Sequence, residues 1–148
     1  MVAEIIDGKL ISSEIRKEIT AEVQSLKLHT GNNPGLAVIL VGDDPASATY
    51  VRNKGIACDE VGIQSETIVL PSTSKEEIVL GTIKELNIDD RYNGILLQLP
   101  LPVDINEDSM LLAIDPSKDV DGLHPYNVGR LLQGSPIYIP CTPAGVQG

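Results

Sequence analysis

At 148 residues the chain has room for one ordinary domain and little more. Hydrophobic residues make up 42% and charged residues 22%, the balance of a folded domain rather than a disordered tail, and with no Phe or Trp the core has to be aliphatic. Eleven Lys and Arg against 21 Asp and Glu leave a net charge of −10, which argues against a nucleic-acid or anionic-membrane surface but permits a small anion held by one or two placed cations.

The N-terminal MVAEIIDGKL has neither a basic stretch nor an apolar core, so no signal peptide is expected. No apolar run approaches the ~20 residues of a membrane helix. Ile11, Ile15, Ile19 and Val23 recur every four residues among charged neighbours, which predicts an amphipathic helix from about position 10 to about 28. His29 to Gly35 breaks it, and LAVILVG follows as a strand buried on both faces. Asp44 and Pro45 are set as N-cap and first residue of a second helix that carries Tyr50, Lys54, Ala57 and Val61 and stops at Gly62. SETIVLP is a second strand, and Ser74 and Glu77 have capping-box spacing ahead of a helix over KEEIVLGTIKELN. NGILLQLPLP is a third strand running into a proline turn. A short helix from about Glu107 to Ile114, a loop DPSKDVDGLHPYNVG and an apolar PIYIP complete the pattern. Alternating helices and buried strands predict a three-layer α/β/α domain, with a mostly parallel sheet flanked by helices. Ligands of such sheets sit outside the carboxyl ends of the strands.

Three clusters fall near that edge. Tyr50 and Lys54, four apart, share a helix face, where a lysine beside a phenol can act as acid, base or cationic clamp; a solvated lysine beside a half-buried tyrosine fits the spacing better. Gln98 ends the third strand ahead of Leu99-Pro100-Leu101-Pro102, so its amide can meet a ligand or orient a catalytic group; satisfying local backbone is an equal alternative. In DVDGLHPYNVG, an extended backbone sends Asp119 and Asp121 to one side, and Gly122 allows close approach; an ordinary turn with solvated carboxylates is the competing reading. No metal is expected, because His29 and His124 are isolated and Cys58 and Cys141 lie far apart outside any C-x-x-C spacing. That cysteine usage suits a reducing cytosol. Neither G-x-G-x-x-G nor a Walker A string is present.

The strings YVRNK, GILLQLPLP, KDVDGLHPYNVG and PCTPAG, in this order, resemble the bifunctional methylenetetrahydrofolate dehydrogenase/methenyltetrahydrofolate cyclohydrolase family from about Asp7 to Gly145. The resemblance implies an oxidoreductase and hydrolase of one-carbon metabolism and purine biosynthesis. Such an enzyme oxidises 5,10-methylenetetrahydrofolate with NADP (NAD in some members) and hydrolyses the methenyl cation to 10-formyltetrahydrofolate. It implies Lys54 as the catalytic lysine, Tyr50 as the residue stacking near substrate, and Gln98 as the amide that holds the lysine. Asp121 resembles the carboxylate on the pterin nitrogens, Ser47, Leu99 and Pro100 line the substrate, and Cys141, Thr142 and Pro143 lie toward the cofactor. Leu123 stands where many members carry an aromatic residue. A cytoplasmic homodimer is implied as well. The family has a second, C-terminal Rossmann domain, so residues 1–148 are expected to be the catalytic folate-binding domain, with the NAD(P)-binding domain absent from this chain. The alternative is a non-catalytic folate-binding or dimerisation fragment.

Overall fold

The computed structural model describes residues 6–141 and residue 144. Helix α1 (Gly8–Thr30) opens where the Asp7 carboxylate accepts from the Lys9 and Leu10 N–H groups and closes at Gly31, whose φ of 79° only glycine adopts cheaply. Of its apolar stripe, Val23 is buried while Ile11 and Ile15 remain half exposed. Strand β1 (Gly35–Val41) follows, then α2 (Pro45–Val61), capped at Asp44 and ended at Gly62 as its sequence predicts. Strand β2 (Gln64–Leu70), helix α3 (Glu76–Ile88), strand β3 (Gly94–Leu97), α4 (Glu107–Ala113) and α5 (Pro125–Leu132) complete the chain.

The three strands are all parallel in the order β2-β1-β3, with Ile39 of β1 opposite Ile68 on one side and Leu97 on the other. Parallel strands need crossovers, and α2 and α3 supply them on opposite faces. Ala37, Ile39 and Val41 point to one face. There they join Ile95 and Leu97 beneath Val79, Ile83 and Leu86 of α3 and Met110 of α4. Val38 and Leu40 point to the other, with Leu96, under Val51 of α2. This is the expected sandwich, filled by aliphatic side chains with Tyr92 as the one buried aromatic among the described residues. No helix of the described residues is long and apolar enough to cross a membrane.

Four local expectations change. The capping box does not form: the Ser74 N–H donates to the Pro71 carbonyl in a turn, which moves the N-cap of α3 to Lys75, whose side chain accepts nothing. The third strand stops at Leu97: the Gln98 N–H still donates to the Ile39 carbonyl, but Pro100 and Pro102 offer no donor to carry the ladder on. The loop after α4 contains helix α5, started by Pro125 with the His124 ring nitrogen accepting from the Tyr126 N–H. Asp119 and Asp121 do not share an environment, as Gly122 bends the backbone with φ of 66° and donates its N–H to the Asp119 carbonyl.

Candidate functional site

The site gathers at the carboxyl ends of β1 and β3. Strand order reverses there: the chain leaves β1 for β2 on one flank, then crosses to β3 on the other, the switch point at which ligands of open parallel sheets bind. α2 departs from the β1 end and carries Lys54 two and a half turns on. Gln98 stands one residue past β3. Their side chains meet, with the Lys54 Nζ donating to the Gln98 Oε1 at 3.5 Å. The Gln98 Nε2 donates to the Leu99 carbonyl at 2.7 Å, which fixes the amide so that its oxygen is the end presented to the lysine. One turn before Lys54, Tyr50 is 66% exposed, so its ring is open to a planar ligand.

Asp121 is half buried. Burial pushes its carboxyl up from the usual carboxylate range, the Lys54 ammonium pulls it back, and the Asp119 carboxylate adds to the rise. Lys54 and Asp121 therefore feel each other, though they lie on different elements. Lys54 thus links the three clusters, meeting Gln98 directly and acting on Asp121 through its charge.

The remaining predicted contacts divide. Leu99 packs on the larger core and Pro100 is exposed. Ser47 is buried in the first turn of α2, its N–H 2.7 Å from the Asp44 carboxylate. That backbone bond, with the Ser47 hydroxyl, holds the Asp44 carboxyl below its usual range. Ser47 is thus engaged in the cap. Cys141 is exposed, and Thr142 and Pro143 lie outside the described residues.

The dinucleotide that the resemblance implies does not fit the described residues. An α/β fold grips a pyrophosphate on the free N–H groups of a glycine-rich first turn. Here that turn reads Val41-Gly42-Asp43-Asp44-Pro45; the Asp44 carboxylate already occupies the α2 N-terminus and Asp43 adds like charge. No hydride step is derived from these residues.

One residue that the sequence reading passed over is Asn127 of α5. It is fully buried, and its Nδ2 donates to the Asp119 Oδ2 at 2.8 Å and to the Pro116 carbonyl at 2.9 Å. No spacing rule announces it, because the helix that carries it was read as loop.

The model of the tetrahydrofolate dehydrogenase/cyclohydrolase catalytic domain matches residues 6–121, which hold Tyr50, Lys54, Gln98 and Asp121. The chain belongs to this family. It is 54% identical over 145 residues to the bifunctional protein FolD of Magnetococcus marinus and 56% identical to that of Geotalea daltonii, covering 98% of this chain and 51% of each relative. Among solved structures, a 5,10-methylenetetrahydrofolate dehydrogenase from the silkworm Bombyx mori superposes with a TM-score of 0.94 at 44% identity, over 98% of this chain and 50% of that one. The Trypanosoma brucei FolD, solved with NADP and an inhibitor, gives 0.93 at 36% identity, again over 98% and 50%. The chain thus spans about half the length of the curated relatives it matches.

Proposed function

We propose that this chain supplies the folate site and the catalytic lysine of a 5,10-methylenetetrahydrofolate dehydrogenase/5,10-methenyltetrahydrofolate cyclohydrolase. The observation that carries the reading is the meeting of Lys54 with Gln98, with the Lys54 charge acting on Asp121, three motifs from three separate parts of the chain. Asp121 accepts two hydrogen bonds from the amidine-like edge of the pterin, and the Tyr50 ring covers the planar ligand. In the hydrolytic step, water adds to the methenyl carbon and gives up one proton. The hydroxyl adduct then collapses to the formyl C=O as its remaining proton passes to N5 and the carbon–N5 bond breaks, leaving 10-formyltetrahydrofolate and one released proton. Lys54 stands as the group that moves that proton, with Gln98 holding its Nζ in line. The reading takes NADP as the oxidant of the dehydrogenase step. It takes a pair of chains as the assembly and the cytosol, with its demand for one-carbon units in purine synthesis, as the setting; these come with the family resemblance.

The test is hydrolysis of 5,10-methenyltetrahydrofolate by the purified protein and by its Lys54→Met variant. We expect the rate to fall by about 10²–10⁴-fold, the usual contribution of a positioned acid–base group. Near-wild-type hydrolysis would remove Lys54 from the mechanism. Binding of a folate analogue without turnover by the wild type would leave a folate-binding module instead.

A further inference from the structure

Asp121 is useful only if its carboxylate is already in place when the pterin arrives, yet it lies in a loop, eight residues past the end of α4. The loop is anchored on both sides of it. Before it, the Ile95 N–H donates to the Lys118 carbonyl at 2.7 Å, and Asp119 pairs with Ile95 as an isolated parallel bridge, so the chain lies along β3. Val120 packs on the smaller core. A Cβ on Gly94 would come within 2.5 Å of the Val120 Cγ1, so only glycine in β3 lets the loop lie this close. After it, Gly122 turns the chain against Pro140 and the Tyr138 carbonyl, whose approach a Cβ at 122 would press at 3.3 Å.

The carboxylate of Asp119 joins these anchors. It is 2% exposed, and its Oδ2 accepts from the His124 N–H at 2.9 Å and the Asn127 Nδ2 at 2.8 Å. Asn127 is 0% exposed and spans the loop, reaching the Pro116 carbonyl as well. Its amide orientation is forced: both neighbours are acceptors, so only the NH₂ end can face them, and Oδ1 is left buried without a hydrogen-bond partner. A buried acceptor left unmatched is tolerated where the other end of the group is needed. A burial-only role does not account for an amide here, because Leu would fill similar space with no polar atom to satisfy.

We propose that Asn127 and Asp119 are positioning residues for Asp121, a buried amide–carboxylate clamp that holds the pterin-binding loop in its binding geometry before ligand enters. The inference rests on the proposed folate site and names what pre-forms it. It ties α5 to substrate recognition: the helix holds the loop from beneath and touches no ligand. The same clamp keeps the Asp119 charge turned away from the pterin edge, so a single carboxylate meets the ligand.

The test uses Asn127→Ala, Asp119→Ala and Asp119→Asn in the purified protein, with 5,10-methenyltetrahydrofolate hydrolysis read as KM and kcat. A clamp for a binding residue predicts a KM raised about tenfold in Asn127→Ala with kcat changed by less than about twofold, the signature of lost uniform binding. Asp119→Asn keeps an oxygen for both donors and is expected to recover most of the KM lost in Asp119→Ala. In an Asp121→Ala background, Asn127→Ala is expected to add nothing further to KM, since the group it places is gone. An equal KM increase in both backgrounds, or equal loss in kcat and KM, would overturn the proposal. If Asn127→Ala does not fold, amide exchange in the ligand-free wild type decides: slow exchange at Gly122 and His124, both bonded to Asp119, supports the clamp, and fast exchange at both overturns it. A wild type that neither binds nor hydrolyses methenyltetrahydrofolate removes the underlying reading itself, whereas a working wild type indifferent to Asn127→Ala removes only the clamp.

Discussion

At Asp121 two needs of one side chain conflict. Burial favours the neutral carboxyl, while a pterin edge of N–H donors favours the carboxylate, and Lys54 sides with the ligand. With its folded value raised above the unfolded one, the folded chain binds the extra proton across that window. Stability therefore falls as pH rises through the raised value and stays lower above it. Asp121→Asn is accordingly expected to raise the melting temperature at neutral pH while weakening a folate analogue by about 10-fold or more, since hydrogen bonds to a charged group are lost. Calorimetry and thermal melts on the same variant check both signs. In the wild type, ligand donors draw the carboxyl back to its ionised form. Affinity should thus fall as pH drops through the raised value, with protons released on binding; a flat profile between about pH 4 and 8 would contradict this assignment. Of the proposed site's residues, Lys54, Tyr50, Gln98 and Asp121 were singled out in the sequence because each sits inside a distinctive string. Asp119 was legible as a carboxylate and misplaced as a partner of Asp121, since alternation along an extended strand ends at the Gly122 turn.

Among the elements, those with local signals came through intact. Asp44-Pro45 and Gly62 bracket α2 as read, and the unbroken apolar run of β1 is the central strand. The errors arose where one local signal overrode another. Ser74 had capping chemistry but a turn to Pro71 claimed its backbone, while the Glu76 carboxylate accepts from the Asn106 N–H and links α3 to the start of α4. α5 lies in the segment given as a loop, although Pro125 is at home in a helix's first turn. Two glycines separate these levels experimentally. Gly81 of α3 has no heavy atom within 4 Å of an added Cβ, so Gly81→Ala is expected to stabilise the fold by about 0.4–1 kcal/mol through helix propensity and the unfolded chain. Gly94→Ala drives a methyl into Val120 and is expected to cost about 1–3 kcal/mol by overpacking. The loop sits on that glycine, so folate-analogue affinity should fall with it. Chemical denaturation of the two variants, side by side, should give opposite signs.

Across the whole molecule, the architecture follows from parallel connectivity. A three-stranded sheet in the order β2-β1-β3 has one switch point, and among the described residues Lys54 of α2 meets Gln98 just past β3 there. Charge acts at this scale too. The net charge of −10 sets a repulsive field around a site that, on the proposed function, receives a folate whose glutamate carboxylates are negative. Lys54 is a single half-buried cation within it. Over about 30 Å, the Debye length near 0.01 M salt, the sum of charges should dominate; near 0.1 M the field reaches only about 10 Å and the lysine gains relative weight. The association rate of a folate analogue is therefore expected to rise as salt increases between these limits, the reverse of an electrostatically steered encounter. The dissociation rate, set by Asp121 and the Tyr50 ring at contact distance, should change less. Stopped-flow binding at the two salt concentrations measures both rates. An association rate that falls with salt would mean that the proposed site carries a local positive field strong enough to outweigh the acidic surface, and would make Lys54 a steering residue as well as a proton-transfer group.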